Sequence, residues 1–170
     1  MKNILSNFSC EKNEEIEVFL KKNSIDFAKR NMSITHLVFD EKMTLVAYFT
    51  LTHKSLNIKK EVLSKTSERK LQMHAKYDSL IEAYSTSAFL IAQFGKNDGE
   101  AISGLELMKL VWVVLWKVQH LVGGGVVFLE CEDNPKLLAF YQNEENRFKI
   151  FGERRSDDEK ILYKQLLRFF

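Results

Sequence analysis

The sequence predicts an α/β fold in which a parallel crossover unit sits inside a larger sheet. Two observations carry this. Between Ser87 and Tyr141 the order is apolar run, loop, long helix, glycine turn, apolar run, loop, helix. That is a strand-helix-strand crossover with its loops at the carboxyl ends of the strands, where open α/β sheets bind ligands. Upstream, Thr35–Phe39 and Met43–Thr52 are strand-like runs joined by the short turn Asp40-Glu41-Lys42, which predicts an antiparallel hairpin.

The crossover unit opens with Ser87–Phe94, then Gly95-Lys96-Asn97-Asp98-Gly99. The helix Ser103–Leu121 follows. Its charged residues Glu106, Lys109, Lys117 and His120 form one stripe, and the rest is Leu, Val, Met and Trp. A helix apolar over most of its circumference packs on more than one neighbour. Trp112 and Trp116, one turn apart, read as packing residues. After Gly123-Gly124-Gly125, the run Val126–Cys131 suits a central strand buried on both faces. Asn134 then caps a helix with Pro135 in its first turn, running through Leu137, Leu138, Ala139, Phe140 and Tyr141.

Outside this unit, Glu11–Lys22 has a helical apolar face made by Ile16, Val18, Phe19 and Leu20. Lys21-Lys22-Asn23 reads as a break before a second helix, Ile25–Arg30. Ser55–Ile58 is a candidate third strand after a bend at His53-Lys54. Residues 59–85 mix Lys59, Lys60, Lys65, Arg69, Lys70 and Lys76 with acidic residues, which predicts a helical surface insert. Phe148–Phe151 reads as a short strand ended by Gly152. Ile161–Phe170 reads as a closing strand with partial alternation.

The 170 residues are long enough for one domain, spanning 1–170, with a sizeable core. A net charge of +2 argues neither for nor against nucleic acid. Cys10 and Cys131 are too few for a disulfide framework, so a reducing cytoplasm is the expected home. The strongest apolar run, Leu110–Trp116, is far short of a membrane span, and no membrane association is expected. The histidines His36, His53, His74 and His120 lack metal-ligand spacing, and no metal is expected.

In this order of elements the chain resembles the GNAT superfamily of acyl-coenzyme A-dependent N-acyltransferases. It resembles above all a bacterial subgroup that begins with a Phe-x-Cys segment, as Phe8-Ser9-Cys10 does, followed by a helix like Asn13–Leu20. Leu45–Leu51 looks like the subgroup's Val-Gly-Tyr-Phe-Thr-Leu strand. Leu90–Gly95 looks like the strand whose backbone pairs with the pantetheine arm. Ala139-Phe140-Tyr141 looks like the late Ala-x-x-Phe-Tyr helix, and Phe148–Gly152 like the strand after it. The resemblance implies a mixed, mostly antiparallel twisted sheet. Its central parallel strand pair would splay to admit acyl-coenzyme A, with helices on both faces.

The activity implied is transfer of an acetyl group from acetyl-CoA to a primary amine by direct attack in a ternary complex. Tyr141 would be the general acid to the departing thiolate. Glu130, at the end of the central strand, is a candidate base beside Glu132 and His53; the absence of any side-chain base is a further alternative. Coenzyme contacts are expected from Ile91, Ala92, Gln93 and Phe94, from Lys96, Gly99, Ile102, Ser103 and Gly104, and from Asn134, Lys136 and Phe140. The family's pyrophosphate loop, Arg or Gln-x-x-Gly-x-Gly or Ala, corresponds here to Gly99–Gly104, where only Gly104 clearly fits. Ser103-Gly104-Leu105-Glu106 also reads as a capping box, in which the serine and the glutamate would occupy helix donors that a phosphate needs. The acceptor stays open between a small amine, a protein amine and aminoacyl-tRNA. The subgroup includes toxins, which adds tRNA and an antitoxin as expected partners, and a homodimer is a further one. Two other readings stand beside the enzyme: a non-catalytic coenzyme A-binding or interaction module, and a nucleic-acid-binding module.

Overall fold

The computed structural model describes residues 2–170. β1 (Ile34–Phe39) and β2 (Leu45–Lys59) form the expected hairpin, with Leu37 opposite Tyr48 and His36 opposite Phe49. Asp40 closes its turn: its carboxylate accepts the backbone N–H groups of Lys42 and Thr44 at 2.9 and 2.7 Å. β2 does not bend at His53-Lys54 but runs unbroken to Lys59, so the separate third strand does not exist. Its second half alternates buried Leu56 and Ile58 with exposed Ser55, Asn57 and Lys59, the period-two pattern of a strand with one solvated face.

Residues 59–85 are only partly helical. A 3₁₀ turn, Lys60–Val62, leads into α4 (Lys65–Gln72), whose N-terminus is capped by Ser64 accepting from Ser67 N–H at 3.2 Å. α4 is preceded by α1 (Lys2–Ser6), α2 (Glu14–Val18) and α3 (Ser24–Lys29). The chain then forms β3 (Lys76–Asp78) and enters β4 (Ala83–Lys96), whose first residues hairpin onto β3. Leu71 of α4 is fully buried with Ile58 and Tyr84, so the segment contributes to a core.

α5 (Gly104–Val122), β5 (Val126–Glu132) and α6 (Pro135–Gln142) complete the crossover and its following helix. β6 (Lys149–Arg155) and β7 (Leu162–Phe169) close the sheet. Backbone hydrogen bonds order the strands β1-β2-β4-β5-β7-β6, with β3 paired to β4 off that path. The sheet is mixed and mostly antiparallel, with β4 and β5 as its parallel pair. Gly152 does not end β6. It follows a register shift after Ile150, and the strand continues to Arg155.

The chain divides into two compact units. One comprises the described residues up to Thr52 with Ile91–Val118; the other comprises His53–Leu90 with Gln119–Phe170. In the first, Leu5, Phe8, Cys10, Leu20, Leu45 and Tyr48 form a core. Lys21-Lys22-Asn23 is not a break there. A π-helical turn, Phe19–Asn23, carries α2 into α3, with the Ser24 hydroxyl donating to Leu20 C=O at 2.6 Å. In the second unit the core is Leu56, Ile58, Leu71, Tyr84, Ala88, Val126, Phe128, Phe151 and Leu167. Both cysteines are free and buried. Among the described residues, no helix is long and apolar enough to cross a membrane.

Candidate functional site

The expected site residues fall into two groups, one in each unit. In the first unit, Ile91–Phe94 lie on the last part of β4, with Ile91 buried and Ala92, Gln93 and Phe94 half-buried. The loop that follows is anchored hard. Asn97 N–H donates to Val46 C=O at 2.9 Å, and the Asn97 side-chain amide donates to Leu45 C=O at 2.8 Å. Asn97 also receives Ser9 N–H at 2.8 Å, while the Asp98 carboxylate receives Glu11 N–H at 2.7 Å and the Ser9 hydroxyl at 3.1 Å. The Phe8-Ser9-Cys10 segment thus fixes the loop that leads to α5. Gly99 adopts φ +77°, a left-handed conformation that lets the loop turn back toward the helix.

The start of α5 is the capping box. Ser103 N–H donates to Glu106 Oε2 at 2.7 Å, and Glu106 N–H donates to Ser103 Oγ at 3.1 Å. The hydrogen bonds from Ser103 hold the Glu106 carboxyl below its usual range, with Lys109 and Lys96 adding attraction. Two backbone donors at this helix start, Ser103 N–H and Glu106 N–H, are therefore engaged by the chain itself. Gly104 and Leu105, in the first turn, still have backbone N–H groups beyond the reach of any intrahelical acceptor. Gly104 brings no side chain to cover them. Three and four residues on, Leu107 and Met108 are buried and fix the helix against its unit.

In the second unit, β5 delivers the chain to α6. Asn134 caps that helix by accepting Lys136 N–H at 2.9 Å, Pro135 occupies its first turn, and Lys136 is exposed. Tyr141 is buried on the inner side of α6, with its ring edge-on to Phe140 at 5.0 Å and to Phe148 at 6.1 Å. Burial, and secondarily the neighbouring Cys131 thiol, push its hydroxyl well above the ordinary tyrosine range. The Cys131 thiol is itself pushed up to about 11 by burial and by Asp133 and Glu132. It is protonated at neutral pH and unsuited to act as a nucleophile.

Glu130, the candidate base, is engaged on both oxygens. Its Oε2 receives Arg154 Nε and Nη2, both at 2.6 Å, and its Oε1 receives Gln165 Nε2 at 2.7 Å. Both oxygens are committed, one to the Arg154 guanidinium and one to the Gln165 amide. Arg154 and Gln165 were not singled out by sequence reading. Their partnership depends on cross-strand register, Glu130 opposite Gln165 and Arg154 opposite Tyr163, which no local pattern reveals. His53 is exposed and packs on Phe89 at 5.0 Å. Among the described residues, no group of His, Cys, Asp and Glu is placed to hold a metal ion.

This architecture defines the class: the chain has the GNAT fold, across nearly its whole length. Several similar solved structures are of bacterial toxins. A tyrosine-to-phenylalanine variant of the AtaT toxin matches with a TM-score of 0.64 at 14% identity, over 97% of this chain and 82% of that one. AtaT complexed with acetyl-methionyl-tRNAfMet matches with a TM-score of 0.64 at 17% identity, over 94% and 85%. A tyrosine-to-phenylalanine variant of KacT matches with a TM-score of 0.64 at 19% identity, over 94% and 85%. AtaT has also been solved with the C-terminus of the antitoxin AtaR and acetyl-CoA. No protein-family model and no curated protein matches the sequence.

Proposed function

We propose that this chain is an acetyl-CoA-dependent N-acetyltransferase acting on a primary amine in a ternary complex, with Tyr141 as the proton donor to the leaving thiolate. The observation that carries the reading is Tyr141 itself. It is a buried tyrosine on a capped helix that follows the central strand, at the position where the resemblance carries the family's proton donor. In the reaction the amine nitrogen bonds to the acyl carbon, the C–S bond breaks and Tyr141 donates to sulfur. The proton shed by the new ammonium restores the tyrosine through solvent, so the net transfer is one proton from nitrogen to sulfur. Glu130 holds Arg154 and Gln165 in place, and an amine that arrives neutral needs no carboxylate base.

In this reading the backbone of Ile91, Ala92, Gln93 and Phe94 pairs with the pantetheine arm. Gly99, Ile102, Ser103 and Gly104 form the pyrophosphate turn, with Lys96 supplying charge. Asn134, Lys136 and Phe140 line the coenzyme from α6. The acetyl-CoA and acetyl-methionyl-tRNA complexes of AtaT support the donor and place methionyl-tRNA among the acceptors to be tried. The exposed Lys65, Arg69, Lys70 and Lys76 could meet its phosphates. A second reading, a coenzyme A-binding module without turnover, is favoured by one observation, the capping box at the start of α5.

The test pairs acetyl-CoA thermal shift with thiol release in the presence of methionyl-tRNA and a panel of small amines. Tyr141→Phe is expected to lower turnover by about 10²–10⁴-fold, the usual worth of a general acid, with coenzyme stabilisation retained. Turnover unchanged in the variant removes Tyr141 from the mechanism. Stabilisation without thiol release from any acceptor moves the chain to the second reading.

A further inference from the structure

The second unit leaves two strand edges open. β6 stands at one end of the strand order and pairs with β7, and among the described residues no strand lies beyond it. On β2 the pairing with β1 stops at Leu51, while β4 takes the other side, so the stretch from His53 to Lys59 continues with one edge uncovered. An edge strand turns alternate N–H and C=O groups outward, which makes it a template for a further strand. A cavity of about 620 Å³ lies between the two edges, lined by residues 57–59 of β2 and residues 150–153 of β6. Successive side chains of a strand point to opposite faces, so a cavity that touches several in a row follows the edge and not a face. Ile58 and Phe151 in its lining belong to the core of the unit, and Val62 and Ile150 stay 44% and 42% exposed beside them.

Most charges along this edge are settled within the chain. Glu153 receives Lys164 Nζ at 2.6 Å, Arg154 meets Glu130 at 2.6 Å, and Glu61 lies 3.8 Å from Lys59. Lys149 and Arg155, the exposed first and last residues of β6, are left as a cationic surplus; Arg155 donates to the Glu159 carbonyl at 3.2 Å, which does not cancel its charge. A second copy of the chain, pairing antiparallel about Gly152, would set Lys149 against Arg155, and like charges directly opposite are destabilising. An acidic residue at each end of the incoming strand turns the same two positions into attractions.

We infer that the edge of β6 is a docking site for an extended segment of a partner polypeptide. The segment adds as a further strand in the groove toward β2, with apolar side chains against Val62 and Ile150 and an acidic residue at each end to meet Lys149 and Arg155. Main-chain hydrogen bonds to the open edge supply affinity, and the apolar centre between two acidic ends supplies selectivity. The seven residues of β6 span about 20 Å at roughly 3.3 Å per residue, the length of an ordinary strand. The inference stands apart from the transferase reading, because it uses none of the residues assigned to acetyl-CoA or to proton donation.

The probe is the synthetic peptide Ac-Asp-Val-Thr-Val-Thr-Val-Asp-amide, titrated into ¹⁵N-labelled protein. The expected result is peptide-dependent shifts along Lys149–Arg155, with amide exchange slowed at least tenfold for the β6 N–H groups that point away from β7. The same peptide with proline in place of its central valine keeps the charges and breaks the ladder, and should bind at least tenfold more weakly. Lys149→Glu combined with Arg155→Glu should lose the acidic peptide by a similar factor and gain the matching peptide with lysine at each end. β6 signals that stay unmoved at the highest soluble peptide concentration overturn the site. Equal binding of the proline peptide overturns strand addition and leaves charge attraction alone. β6 shifts that follow protein concentration without peptide, joined to a dimer in sedimentation, give the edge to a second copy and overturn the partner segment.

Discussion

Replacing Ser103 with alanine should move stability and coenzyme affinity in opposite directions. The Ser103 hydroxyl accepts the Glu106 N–H at 3.1 Å, and removing it leaves that donor open at the first turn of α5. Loss of a serine N-cap costs about 0.5–2 kcal/mol. In a chain of this length roughly 1 kcal/mol corresponds to about 2–4 °C in Tm, so a fall of about 1–8 °C is expected in coenzyme-free protein. If the pyrophosphate of acetyl-CoA rests on this helix start, the released N–H becomes a further donor to a charged acceptor, and such a bond contributes about 1.5–3 kcal/mol before competition with water is counted. A net gain of about fivefold in affinity is the conservative expectation. The assay is differential scanning fluorimetry with and without acetyl-CoA, joined to isothermal titration of the same samples. Lower Tm with a smaller Kd supports the placement. Lower Tm with unchanged Kd shows that the coenzyme's phosphates do not use this turn, and the pyrophosphate assignment of Gly99–Gly104 then fails.

Gly95→Ala should destabilise the first unit by about 1–3 kcal/mol, the range for overpacking a filled core, because its Cβ would overlap Ile16 and press on Tyr48; urea unfolding measures it, and a loss below about 0.5 kcal/mol would show that Ile16 yields. Leu107→Ala removes a fully buried α5 side chain and should cost about 2–5 kcal/mol by the same assay. His36 is half-buried and stacked on Phe49 at 4.8 Å, and burial holds its pKa below 6.5. The unfolded chain therefore takes up this proton first, so stability is full above about pH 6.5 and declines as pH falls through the folded-state value. His36→Gln should flatten that slope in Tm measured from pH 7.5 to 5, and an unchanged slope assigns it to other groups.

The central elements were legible because their signals are local. Val126–Cys131 is a continuous apolar run and becomes β5, and Asn134-Pro135 announces the start of α6. The capping box was readable from four residues. The departures each have a tertiary cause. β2 runs through His53 and Lys54 although both of its faces are solvated there, and three exposed residues in a row look like a loop in a sequence read for apolar strands. Lys21-Lys22-Asn23 stays helical because the extra residue of a π turn is absorbed and the Ser24 hydroxyl bonds back to Leu20. Gly152 looks like a terminator, yet it sits beside a bulge where Gln165 needs room. The network Arg154–Glu130–Gln165 joins residues far apart in the chain through register alone, which is why Glu130 stood out in the sequence and its partners did not.

The clasp between Ser9 and the Asn97-Asp98 turn joins positions 88 residues apart. During synthesis Ser9 emerges long before the turn that receives it, so it must wait, undocked, until all of β4 and Asn97-Asp98 have left the ribosome. Closing so long a loop is an entropic cost met late in folding. Any alteration that hinders Phe8–Cys10 would then leave the approach to α5 unanchored in an otherwise folded chain, and in the transferase reading coenzyme binding would suffer from a change that touches none of the residues assigned to it.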